Sequence, residues 1–523
     1  MSTDKYTHDD SKKGIVKSTT ILSLGTLVSR ILGFIRDIII AKLLGTASGA
    51  DAFFVAFRIP NLFRDLVGEG ATNSALIPVI SEYEAKKDKM ELWYFTSVIF
   101  VLSFIALSLL TILGIVFAPL IVRIIAPGFI IEPEKLILTV RLTRIMFPYL
   151  IFIGLTAYMM GILYTFRSFV LPAFSPCLLN ITMIMSAVIA SRRGHDPVLY
   201  LAIGVLAGGV AQFLVQIRPL MKRGLRFYFP KTLSHPGARK VGSLLLPRLF
   251  GSAIYQLNIF VDTFCASLST VVGAGGIAAV YYSNRIVQFP MGTISVALAL
   301  AILPSMAGFA ARKNIEDLRA ILVFSLKNIF LIMLPISIFL ILFSVPLTRI
   351  FFERGEFTPY STRITSSALL FYAMGLVSFG AAKIMVTAFH SMQDTSTPAR
   401  VGFLCFVINA VLNFILMWPL KVGGIALASS VASTVNFLAL FYILNKKLGG
   451  IKEGILPYFF KVALAAAVMG ILLWGAWRYF VVWPEISRLL VIIILGFFIF
   501  VAMCVMLDIQ QVKEIWSWIL RRK

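Results

Sequence analysis

The chain has 523 residues, of which 59% are hydrophobic and only 14% charged, and its mean hydropathy is +0.91. Soluble domains carry about 25% charged and about 45–50% apolar residues, so this composition excludes a soluble globular protein and a disordered one and leaves the membrane class. The net charge of +24 does not imply a nucleic-acid partner, because the basic residues are scattered among apolar segments and form no separate basic domain.

Residues 1–17 are polar, and the apolar run that follows is too long for a signal-peptide core, so the first span is expected to remain in the chain. Apolar runs set against charged or Pro/Gly breaks predict helices at 18–43, 52–82, 94–121, 136–163, 168–191, 198–220, 241–270, 276–309, 320–346, 363–390, 398–419, 422–445, 456–480 and 486–508. Stretches such as Val491–Met506 are apolar on every face, which excludes the alternation of an outer-membrane barrel. The expected fold is therefore an all-α polytopic membrane protein of about fourteen transmembrane helices. Lys and Arg concentrate in connections after even-numbered spans, including Lys86, Lys87, Lys89 and the run Arg218–Lys240, which predicts that both termini are cytoplasmic.

The chain repeats itself at an offset of about 226 residues. "ALIPVISEY" with Pro78 matches "AILPSMAGF" with Pro304, "RIIAPGF" from Arg123 matches "RIFFERGEF" from Arg349, and Pro172 matches Pro398. The segment around Arg58 pairs with the one around Arg285. An even number of helices per copy puts both copies in the membrane the same way round, as in transporters that rock one half against the other around a central site. The expected organisation is a tail at 1–17, a six-helix lobe at 18–222, a basic cytoplasmic linker at 223–240, a second six-helix lobe at 241–447, an extra helix pair at 456–508 and a basic tail at 509–523.

Ionisable residues inside spans are costly and are functional candidates by default. The first span offers Ser29, Arg30, Arg36 and Asp37, and the second, broken by Pro60, Gly68 and Gly70, offers Asp51, Arg58, Arg64, Asp65 and Glu69. So polar a segment should line a water-filled cavity. Arg285 is the only full charge between Asp262 and Arg312, and Lys383 lies well inside the tenth span. A cationic cavity suits an anionic cargo, because a guanidinium matches phosphate in a two-pronged way. Asp262, Asn409, Asn413 and Ser429 form an oxygen-rich set that suits Na⁺ or a proton and equally suits interhelical hydrogen bonds. Four lone cysteines, four dispersed histidines and the lack of a P-loop give no disulfide framework, metal pattern, catalytic set or ATPase.

The motifs "SRILGFIRD" (29–37), "DAFFVAFRIPNLFR" (51–64), "EGA" (69–71), "APGF" (126–129), "FPY" (147–149), "LPAFSPCLLNI" (171–181) and "YYSNRIVQFP" (281–290) together resemble the bacterial lipid II flippases of the MurJ family, within the superfamily of multidrug, oligosaccharidyl-lipid and polysaccharide exporters. The resemblance implies a flippase, not an enzyme, in the bacterial cytoplasmic membrane. Its cargo would be lipid II, the undecaprenyl-diphosphate-linked peptidoglycan precursor, moved to the outer leaflet by a monomer. It assigns the family's functional arginines to Arg30, Arg36, Arg64 and Arg285, with Asp51 a further polar position and Arg58 where relatives often have Lys. The final helix pair would form a groove for the polyprenyl tail, and Asp262, Asn409, Asn413 and Ser429 would lie near a cation site, with Na⁺ or H⁺ as coupling ion. Two departures stand out: Asn284 precedes Arg285 and Gln288 follows it where relatives carry acids, and Asn413 stands where some carry an acid. The alternatives are a cation-coupled multidrug or polysaccharide-unit exporter of the same superfamily, and an enzyme or scaffold for polyprenyl phosphates.

Overall fold

The computed structural model describes residues 8–64, 71–451 and 454–512, with side chains described from Thr20 onward except at 63, 71–74 and 246–255. Every regular element among them is a helix, as lipid demands of a chain that must satisfy its own backbone. Eleven helical stretches among the described residues are long and apolar enough to cross a membrane. Of the other three expected spans, 52–82 contains residues outside those described, and 18–43 and 241–270 contain residues whose side chains are not described. The chain divides into two compact units, residues 1–264 and 265–523.

The first unit holds α1 (His8–Leu44), α2 (Ser48–Arg64), α3 (Ala71–Lys86), α4 (Lys89–Val116), α5 (Ala118–Ile125), α6 (Pro133–Met146), α7 (Tyr149–Thr165), α8 (Val170–Arg193), α9 (Pro197–Lys222) and most of α10 (Pro236–Ser267). Two expected spans prove to be interrupted. The run 94–121 ends as α4 at Val116, because Phe117 leaves helical geometry and Pro119 stands in the first turn of the short α5. The run 136–163 divides into α6 and α7 at Phe147 and Pro148, where the proline ring removes a backbone donor. Pro236 opens α10 inside the stretch expected as linker.

That linker is folded onto the unit. Tyr228 N–H donates to Ser97 Oγ at 3.0 Å, and the buried His235 ring lies 3.2 Å from Glu91 Oε1 and stacks on Phe95. Beneath it Ala75, Leu76, Val79, Trp93, Phe95, Tyr158 and Leu220 form one core. On the other side of the unit α8 and α9 approach closely. A Cβ on Gly208 would sit 2.9 Å from Leu179 Cα, and one on Gly204 would sit 2.5 Å from Ser186 Oγ. This is the small-xxx-small arrangement that lets membrane helices pack by van der Waals contact.

The second unit holds α11 (Ser269–Val272), α12 (Gly276–Pro290), a π-helical turn at Met291–Ser295, α13 (Val296–Ala311), α14 (Ile315–Leu342), α15 (Ser344–Phe352), α16 (Pro359–Ser391), α17 (Ser396–Leu420), α18 (Val422–Lys447), α19 (Leu456–Tyr479) and α20 (Glu485–Met506). The expected span 320–346 ends at Leu342, with α15 as a separate short helix. The last pair attaches through α14 and α15: Phe330 meets Phe459 with ring centroids 5.1 Å apart, and Arg349 pairs with Glu485 at 2.7 Å. Helix boundaries recur between units. Lys89–Val116 and Ile315–Leu342 each have 28 residues and start 226 apart in number, and α8 and α17 begin at 170 and 396. Large apolar side chains such as Leu109, Ile112, Phe497 and Phe498 are exposed, as a lipid-facing surface requires.

Candidate functional site

In the first unit the charged residues of α1 and α2 are placed by packing against α8, α6 and α10. Arg36 is buried at 4% exposure and donates from Nη2 to Oδ1 of the fully buried Asp37 at 2.7 Å and from Nη1 to Asn180 Oδ1 of α8 at 3.0 Å. The Asn180 amide donates in turn to the carbonyl of Ser29 at 3.0 Å. One amide thus bridges two turns of α1. Pairing with Asp37 and Asn180 satisfies the guanidinium locally and offsets part of the cost of burying both charges.

Asp51 is buried and paired with Lys135 of α6, Nζ to Oδ2 at 2.9 Å, with both side chains at 3% exposure or less. The same ammonium lies 4.4 Å from the Phe129 ring centroid and 3.7 Å from Glu132 Oε2. Lys135 escaped the sequence reading because it stands at the border of the fourth span, where a lysine ordinarily reads as a loop residue. Its signal is the match of one buried acid to one buried base 84 positions away, which is visible only after α2 and α6 pack.

Arg58 is half-buried and donates from Nη1 to Thr263 Oγ1 on α10, beside Asp262 in sequence. Arg30 and Arg64 are also half-buried, Arg64 in the last turn of α2. Glu69 and Asp65 lie outside the described residues. The first unit therefore brings two kinds of charge together: Arg36 and Asp51 locked into helix contacts, and Arg30, Arg58 and Arg64 partly open.

In the second unit Arg285 is half-buried on α12, its Cζ 5.4 Å from the Tyr281 ring centroid and its Nη2 3.4 Å from the Tyr281 hydroxyl. Tyr281 lies one turn earlier, so it holds the guanidinium along the helix. Asn409 and Asn413 are buried on one face of α17, Ser429 is half-buried on α18, and Lys383 is exposed in mid α16. The cation-site candidates therefore come from both units, Asp262 from the first and the other three from the second. Among the described residues no cluster of three or more His, Cys, Asp or Glu side chains could hold a metal, and the four cysteines are free and buried.

Residues 40–494 match the family described as lipid II flippase MurJ. The chain is 34% identical over 457 residues to a probable lipid II flippase MurJ of Buchnera aphidicola subsp. Schizaphis graminum, covering 87% of this chain and 88% of that one. It is 33% identical over 459 residues to the lipid II flippase MurJ of Burkholderia cenocepacia, covering 86% and 88%. A lipid II flippase MurJ solved in the inward closed conformation superposes with a TM-score of 0.80 at 28% identity, over 92% of this chain and 98% of that one. An inward-facing MATE family multidrug resistance transporter of the MOP superfamily superposes with a TM-score of 0.69 at 17% identity, over 84% and 99%, which is a likeness of fold. The motifs, their order along the chain and the match over nearly its full length agree, and the chain belongs to the MurJ family of lipid II flippases.

Proposed function

We propose that this chain carries lipid II from the cytoplasmic to the outer leaflet of the bacterial cytoplasmic membrane by alternating access. The observation that carries the reading is membership of the MurJ family over residues 40–494, joined to a fold match over 92% of the chain. In this reading fourteen helices form two six-helix lobes in parallel repeat, with both termini cytoplasmic and the protein working as a monomer. The recurrence of the 28-residue helices α4 and α14 supports the repeat.

The half-buried guanidinium groups of Arg30, Arg58, Arg64 and Arg285 bind the diphosphate, where reduced dielectric strengthens charge-assisted hydrogen bonds. Arg36 and Asp51 serve the same site indirectly, by fixing α1 to α8 and α2 to α6. Helices α19 and α20, attached along α14 and α15, provide the apolar groove for the polyprenyl tail. Na⁺ or H⁺ drives the cycle through Asp262, Asn409, Asn413 and Ser429. Lys383, exposed in mid-helix, is a further cavity cation.

The test is made in cells depleted of this protein, by measuring how much lipid-linked precursor becomes accessible at the outer leaflet after rescue by wild type or Arg285→Ala. Wild type is expected to restore accessibility and Arg285→Ala to fail while accumulating in the membrane at the wild-type level. Unchanged accessibility on depletion, with no second flippase present, would point instead to a drug or polysaccharide exporter.

A further inference from the structure

A groove of about 500 Å³ lies on the outer surface of the first unit where α5 meets α6, lined by Pro119 and Arg123 of α5 and by Ile137, Arg141 and Arg144 of α6. Ile137, Arg141 and Arg144 follow one stripe of α6 at spacings of four and three residues, while Lys135, Thr139 and Thr143 of the same helix face inward and are buried. The helix thus presents two arginines to the outside of a membrane protein, next to aliphatic side chains that are themselves open, Ile137 at 68% and Leu120 and Ile124 each at 52% exposure. Arg144 Nε donates to the carbonyl of Ile115 at 3.2 Å, which fixes one guanidinium at the rim. None of the three arginines forms an ion pair among the described residues.

Three guanidinium groups with no acid in the groove lining, Glu134 standing one turn before Ile137 on α6, attract anionic headgroups, each cation contributing about 1 kcal/mol beside an anionic lipid surface. The groove adjoins the carboxyl end of α4, whereas the folded basic linker adjoins its amino end through Ser97 and Glu91. A helix of 28 residues spans about 42 Å, close to the full thickness of a bilayer with its headgroups. The groove therefore sits at headgroup depth in the leaflet opposite the linker.

We propose that this groove is a binding site for the phosphate headgroup of an anionic glycerophospholipid in that leaflet. Arg123, Arg141 and Arg144 grip the phosphate, and the exposed aliphatic residues of α5 and α6 line the path of the acyl chains. The occupant is distinct from the cargo, since none of these arginines belongs to the α1, α2 or α12 set. The site stands whether or not the transport reading does.

The experiment titrates the purified full-length protein with phosphatidylglycerol, or with phosphatidylcholine as control, and counts retained lipid by native mass spectrometry. Wild type should retain one phosphatidylglycerol in preference to phosphatidylcholine, and the triple variant Arg123→Gln/Arg141→Gln/Arg144→Gln should bind it on the order of a hundredfold more weakly, given about a fivefold loss for each charge at a lipid surface. The triple Lys variant should fall between the two. Arg141→Gln alone, at an exposed position without an ion pair, should lose several-fold and serves where the triple variant does not fold. Equal phosphatidylglycerol retention by wild type and the Gln variants overturns the proposal. So does a groove whose Gln variants lose undecaprenyl diphosphate binding alone, which would make it a cargo site.

Discussion

At the scale of single residues, buried charge in this molecule is neutralised locally, and the two best examples fix helices. The pair Asp51–Lys135 joins α2 to α6 with both groups almost wholly out of water. Removing one member leaves an uncompensated buried charge, so Lys135→Ala should destabilise the protein by about 3–5 kcal/mol, while Lys135→Met combined with Asp51→Leu should recover most of that loss. Thermal unfolding in detergent checks both, and a Lys135→Ala midpoint equal to wild type would remove the pair's structural role. Asp51 was legible in the sequence as an unusual intramembrane acid; its partner was not, because a lysine at a span border has an ordinary explanation. Asn180 was hidden for a similar reason: an amide in an apolar helix carries no charge to flag it, and its meaning lies in reaching Ser29 and Arg36 on another helix. The arginines Arg58 and Arg285 stood out because nothing apolar explains them, and the structure leaves both half-buried.

At the scale of elements, eleven of the fourteen expected spans were readable from hydropathy, and most ends fell within a few residues of the observed ones, as for α9, α18 and α19. The interruptions were not, since a break at Phe117 or Phe147 follows from how one turn packs and from a single neighbouring proline, which is too small a change to end a long apolar run. Helix contact is equally a matter of fit. Gly208→Val places new atoms against the backbone of α8, with Leu179 Cα already 2.9 Å from a bare Cβ, and should cost about 1–3 kcal/mol through overpacking. Gly242→Ala in α10, where an added Cβ meets nothing within 4 Å, should leave the unfolding midpoint unchanged or raise it by helix propensity. Equal effects of the two substitutions would mean that the α8–α9 approach is not tight. The turn before α17 has its own anchor. Asp394 accepts from the Thr397 backbone N–H at 3.0 Å and from Lys447 at 3.1 Å, and the Thr397 N–H first, with the lysine helping, holds its carboxyl well below the usual carboxylate range. A depressed folded pKa stabilises above the unfolded value of about 3.9 and loses that contribution as the pH falls through the lower folded value. Asp394→Ala should therefore cost about 1 kcal/mol at neutral pH, with the gap to wild type closing as unfolding is measured below about pH 4. A gap independent of acidification would rule out the carboxylate as its source.

At the scale of the whole molecule, the family and the helical class were legible because long motifs and gross composition survive without any knowledge of contacts. Which charges are locked into helix contacts and which stay partly open was not, since that depends on which helices meet. The orientation expected from the charge pattern can be tested by labelling, because Phe229 in the linker and Val482 between α19 and α20 are 88% and 89% exposed while the four native cysteines are buried. An impermeant thiol reagent should modify Val482→Cys in intact spheroplasts and Phe229→Cys only after the membrane is opened; the reverse pattern would invert the assigned topology. The matched lengths of α4 and α14 also bear on which changes such a chain can absorb. Adding one residue to a helix turns everything beyond it by about 100° and lifts it by about 1.5 Å, so every groove-facing side chain downstream would be carried round toward lipid at once. Substitution can drift at the many lipid-facing sites of such a molecule, but insertion within a span cannot, and length variation in its descendants should be confined to the turns.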